Sequence, residues 1–160
     1  DIDGVRFLGG TLWTNMNNGD PVAMWDAQTC MSDYKVIRVN TNGNYRQLRP
    51  MDTFNYHIKC LNYFNIVSMD ECPTVVISHH APSPESIHEE YVGNSLNPAY
   101  CSDLQHFIAS RPNIKFWVHG HIHHKQSYMI DQCNVVANPR GYPGEVVHQN
   151  FTLQTFEVTI

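Results

Sequence analysis

The chain has 160 residues, 42% of them hydrophobic and 16% charged, a balance that supports one packed domain and excludes a disordered chain. Its net charge of −5 with neutral histidines offers no basic footprint for general nucleic-acid binding, and no apolar run approaches the roughly 18 residues of a membrane span. The five scattered cysteines (Cys30, Cys60, Cys72, Cys101 and Cys133) contain no Cys-x-x-Cys pair and read as reduced thiols of a cytoplasmic protein.

In chain order, Val5 to Trp13 reads as a strand running into a Gly9-Gly10 bend. Asn15 to Pro21 is a polar turn, Met31 to Val39 is ambiguous, and Asn40 to Asn44 is a turn cluster. Phe54, Ile58, Leu61 and Phe64 recur near the helical period and predict a helix over Asp52 to Asn65, with Asp52 or Thr53 as N-cap. Thr74 to Ser78 is a buried strand, ended by Ala81-Pro82-Ser83-Pro84, whose prolines deny ladder hydrogen bonds. A loop from Pro84 to Pro98 leads to a second helix over Ala99 to Ser110, with Tyr100, Leu104, Phe107 and Ile108 on one face. Ile114 to Val118 is the next strand. Gln126 to Ile130 and Asn134 to Ala137 form a hairpin around Asp131-Gln132, Asn138 to Tyr142 is a tight loop, and Phe151 to Ile160 alternates as a terminal strand. Trp13, Trp25 and Trp117 read as core. Strands alternating with two helices make a single α/β or α+β domain over residues 1–160.

Two histidine clusters follow apolar strands: His79-His80 after Val75-Val76-Ile77-Ser78, and His119-Gly120-His121-Ile122-His123-His124 after Val118. Imidazole suits Zn, Mn, Fe or Ni. In an extended segment, residues two apart point the same way, so His121 and His123 are expected to face one site, with His79 supplying a third nitrogen from a neighbouring strand end. His80, His119 and His124 are expected behind or beside them. Arg140, in a Pro-Gly loop downstream, is a candidate for binding phosphate oxygens, and Asn138 for fixing that loop or touching substrate. Tyr91, Tyr100 and Tyr142 either line a cleft or pack half-buried. Ser83 precedes a proline and lacks a paired base, which argues against a serine nucleophile.

Ser78-His79-His80-Ala81-Pro82-Ser83 together with Gly120-His121-Ile122-His123 resembles the calcineurin-like metallophosphoesterases. Gly9-Gly10-Thr11-Leu12-Trp13 and Asn138-Pro139-Arg140-Gly141-Tyr142 resemble the bacterial and phage-type branch, and Asp33-Tyr34 matches a further family element without an evident mechanism. The resemblance implies a four-layer α-β-β-α sandwich and two divalent metals. His79 and His121 would ligate one metal and His123 the other, and a metal-bound hydroxide would attack phosphorus in a phosphate mono- or diester.

The family's earlier motifs, Asp-x-His, Gly-Asp and Gly-Asn-His-Asp or Gly-Asn-His-Glu, are missing: Gly19-Asp20 sits in a polar turn, and Gly43-Asn44-Tyr45 and Gly93-Asn94-Ser95 lack the histidine. Three neutral imidazoles cannot compensate two divalent cations, so a bridging carboxylate is wanted from elsewhere. The chain therefore reads as the C-terminal half of such a domain, weakly active or inactive alone, whose partners are a phosphorylated substrate and either a missing N-terminal half or a second copy. A nucleic-acid substrate stays open, although charge does not point to it. The alternative is a non-catalytic metal-binding or regulatory module on the same fold.

Overall fold

Strand β1 (Arg6–Gly10) opens the chain in a computed structural model that describes residues 1–158. It stops short of the predicted Trp13 because Leu12 and Trp13 take φ of 67° and 55°, which no strand can continue. The following turn, α1 (Met16–Gly19), is left-handed, with φ of 47°, 52°, 59° and 81° along its four residues. Asparagine and glycine visit this region at least cost. Asp20 then caps α2 (Pro21–Cys30): its Oδ1 accepts the Val22 N–H at 2.8 Å, and Pro21 fills the first helical position. The ambiguous stretch resolves into α3 (Asp33–Val36) and the start of a hairpin, β2 (Arg38–Thr41) and β3 (Asn44–Gln47). Asn42 and Gly43, at φ 54° and 89°, close it as a two-residue loop.

Helix α4 (Pro50–Val67) is longer than predicted at both ends. Its N-cap is Arg49, not Asp52 or Thr53. Asp52 accepts the Arg49 N–H at 2.9 Å from within the first turn and holds Arg46 through two bonds of 2.7 Å. Strand β4 (Thr74–Ser78) falls where predicted. The second helix shrinks to α5 (Gln105–Ala109). Residues 100–104 spend their backbone groups on the proline-rich segment instead: Ala81 N–H donates to Tyr100 O, Ser102 N–H to Ala81 O and Leu104 N–H to Pro82 O. Strands β5 (Ile114–His119), β6 (Gln126–Ile130) and β7 (Cys133–Ala137) match the prediction closely, with Asp131 at φ 50° turning the hairpin. After α6 (Val146–Gln149) no strand forms over residues 151–158, and Thr159 and Ile160 lie outside the described residues. Phe156 packs its ring on Phe116 at 5.3 Å, and Thr152 O accepts from Asn138 Nδ2 at 3.0 Å. These side-chain contacts hold the segment without strand pairing.

The result is a mixed α/β fold with a five-stranded sheet in the order β1-β4-β5-β7-β6, parallel except for the edge strand β6. Leu8, Val76, Trp117 and Val135 stand in one register row. They face Phe64 of α4 and Leu104 and Ile108 around α5, and this is the main core. A second cluster gathers Met16, Ala27, Met31, Tyr34, Leu48 and Ala99, with Trp13 against it. Trp117 is fully buried, whereas Trp25, expected in the core, is 70% exposed on α2. On the opposite side of the sheet Phe7, Ile77 and Met129 lie open to solvent.

Candidate functional site

Strands β1, β4, β5 and β7 run parallel, so the loops after Gly10, Ser78, His119 and Ala137 share one edge of the sheet, where α/β folds place their ligand sites. Both histidine clusters and the Asn138–Tyr142 loop are there. The first strand end is tied to the second through one carbonyl: Thr11 O accepts the His79 and His80 N–H groups, each at 3.3 Å, and the His80 ring at 3.2 Å. A carbonyl only accepts, so His80 Nδ1 carries the proton.

His79 Nε2 and His121 Nδ1 are 3.1 Å apart. His121 reaches this position through a left-handed backbone, φ 62°, so residues 121–124 bend rather than extend. The alternation that would point His121 and His123 the same way therefore does not operate. His121 turns to His79 and His80, and His123 turns to Glu145 and Tyr142. The His121 ring lies between His80, at 4.4 Å, and Tyr100, stacked at 4.7 Å, so Tyr100 lines the site by packing on a histidine. Its Nε2 is buried without a hydrogen-bond partner. Burial, with the His79 charge adding, pulls the His121 imidazole down to about 4. Burial also lowers His79, and lowers His80 well below the ordinary value, in both cases with neighbouring imidazoles adding. All three are held neutral, the form that ligates metals. Asp33 is the carboxylate whose charge opposes this at His79 and His121.

Behind the site runs a directed hydrogen-bond chain. His119 Nδ1 donates to Gly120 O at 3.0 Å, so its Nε2 accepts from Ser86 Oγ at 2.9 Å, and Ser86 in turn accepts from Tyr128 OH at 2.7 Å. Ser86 and His119 are buried, so this Ser–His pair braces the Gly120 turn and offers no nucleophile to solvent. His124 packs on His88 at 4.4 Å. Asn138 binds the Thr152 carbonyl rather than its own loop, and Arg140 is exposed, without an ion pair or hydrogen bond among the described residues. Tyr91 and Tyr142 are exposed.

Two nitrogens each roughly 2.0–2.1 Å from one cation, at tetrahedral to octahedral angles, lie about 2.9–3.4 Å apart. The His79–His121 separation falls in that range; the two nitrogens share one N–H in a hydrogen bond, and a cation between them would displace that proton. No third ligand completes the set: among the described residues, no three His, Cys, Asp or Glu side chains converge to hold a metal. Glu145, which sequence reasoning passed over, is the acidic group nearest His123, with Oε2 2.9 Å from Nδ1. The only cue to it in the sequence is its position four residues beyond Gly141.

No protein-family model matches the chain, and no solved structure does. The chain is 26% identical over 153 residues to the uncharacterized protein L509 of Acanthamoeba polyphaga mimivirus, a match covering 91% of this chain and 53% of that protein. It thus spans about half the length of the curated relative it matches. No helix is long and apolar enough to cross a membrane among the described residues.

Proposed function

We propose that this chain is the metal-binding C-terminal half of a dinuclear metal-dependent phosphoesterase of the calcineurin-like type. The observation that carries the reading is the His79 Nε2–His121 Nδ1 pair at 3.1 Å, two neutral imidazoles from neighbouring parallel strands, on the ligand-binding edge of the sheet. His79 and His121 would hold one divalent ion and His123 another, as Mn, Fe, Zn or Ni; bound there, such ions activate water and stabilise charge on phosphoryl oxygens. Arg140, exposed on the same edge, would bind those oxygens, and Asn138 would anchor its loop.

The missing ligands and bridging carboxylate would come from an N-terminal half. One observation supports a further half: the open side of the sheet carries Phe7, Ile77 and Met129, apolar groups that a second sheet would cover. The alternative, a non-catalytic metal-binding or regulatory module, is favoured by the lack of a three-ligand group among the described residues.

The test is hydrolysis of p-nitrophenyl phosphate and bis-p-nitrophenyl phosphate with added Mn²⁺ or Zn²⁺, by this chain and by a version extended upstream to the length of the viral relative. The reading expects metal-dependent turnover in the longer protein, falling at least about 100-fold in His79→Ala and His121→Ala, with little turnover from the shorter chain. Metal binding without turnover in the longer protein would favour the regulatory module.

A further inference from the structure

We propose that Glu145 is the positioning residue of His123, fixing its ring so that Nε2 keeps a lone pair for a cation. This rests on the metal-site reading above. Glu145 Oε2 lies 2.9 Å from His123 Nδ1 and accepts the Tyr142 N–H at the same distance of 2.9 Å. A carboxylate offers no proton, so in the neutral ring the proton sits on Nδ1 and Nε2 is bare. A carboxylate behind a histidine selects the tautomer and the orientation of a metal ligand in this way.

The loop around Glu145 is built to hold that carboxylate. Glu145 N–H donates to Tyr142 O at 3.1 Å while the Glu145 side chain accepts from Tyr142 N–H, so residues 142–145 are closed in both directions. Gly141 has φ 71°, and a Cβ there would lie 2.6 Å from Glu145 Oε2 and would also strike Val147 Cγ1. The carboxylate can therefore approach only because residue 141 has no side chain, which accounts for Gly141 in the Asn138–Tyr142 loop. Tyr142 sets its ring edge-on against His123 at 4.7 Å. His123 is thus held on a ring face or edge by Tyr142 and at Nδ1 by Glu145.

A plain surface ion pair would look similar in a static view and differ in one respect. It needs an imidazolium and imposes no tautomer once the ring is neutral. The experiment is long-range ¹H–¹⁵N NMR on the metal-free chain with ¹⁵N-labelled histidine at about pH 9, where imidazoles are neutral, followed by zinc titration. His123 should appear as the Nδ1–H tautomer in the wild-type chain and in Glu145→Gln, which keeps an acceptor oxygen, and should lose that preference in Glu145→Ala. Zinc should perturb His123 Nε2, with affinity at His123 falling about 10- to 100-fold in Glu145→Ala. An Nε2–H tautomer in the wild-type chain, or no change in Glu145→Ala with the fold intact by circular dichroism, would overturn the role of Glu145 even if zinc still binds His79 and His121. A tautomer that follows Glu145 while zinc leaves every histidine unmoved would keep Glu145 as the residue that orients His123, overturn its presentation of Nε2 to a cation, and count against the metal site.

Discussion

Ser78 connects the core to the histidines. Trp117 Nε1–H donates to Ser78 Oγ at 2.9 Å, and Ser78 donates onward to the His80 carbonyl at 2.7 Å. All three residues are buried. Removing the hydroxyl strands the indole N–H and the carbonyl together, so Ser78→Ala should destabilise the chain by about 1–3 kcal/mol in urea unfolding. It should also loosen the His79-His80 turn, visible as lost near-ultraviolet dichroism from Trp117. An unfolding midpoint equal to that of the wild type would show that the relay carries no weight. At this scale the sequence displayed His79 and His121 plainly, because each follows a β-branched run. It did not display Glu145, whose partner is 22 residues away across a loop, nor the left-handed His121, since nothing local dictates that φ.

The elements show where local reading works and where it stops. Strands β4, β5, β6 and β7 were legible because apolar runs between turn residues have few alternatives. The helix expected over Ala99 to Ser110 was not, because residues 100–104 satisfy their backbone on Ala81 and Pro82, a long-range choice that periodicity cannot see. Helix α2 was missed although Asp20-Pro21 is a cap followed by a first-turn proline, because its apolar residues do not form a stripe and Trp25 points outward. Helix α4 carries a testable burden of its own. His57, on its inner side, is 1% exposed, and burial lowers its imidazole against the pull of the Trp13 and Leu12 backbone. Below the unfolded value near 6.5 the unfolded chain takes up a proton that the folded chain resists, so stability is full above that pH and is lost as pH falls toward the lowered folded value. Melting temperature should therefore be lower at pH 5 than at pH 8, with a smaller difference in His57→Gln. An equal or higher melting temperature at pH 5 would contradict the buried neutral ring.

For the whole molecule, the parallel sheet gathers four loop ends on one edge, and α4 and α5 cover one of its sides. The mixed α/β class was legible from alternating strand and helix signals. The terminal strand was not, since over the described residues the alternating segment from Phe151 packs by side chains. The proposed function turns on a cation between His79 and His121, whose remaining ligands would come from outside this chain. The most direct measurement is elemental analysis of tag-free protein after dialysis against Zn²⁺ or Mn²⁺, for the wild-type chain, His79→Ala and His121→Ala. Each variant should hold about one divalent ion fewer than the wild-type chain. Equal metal content in all three proteins, or none in the wild type, would contradict the proposal.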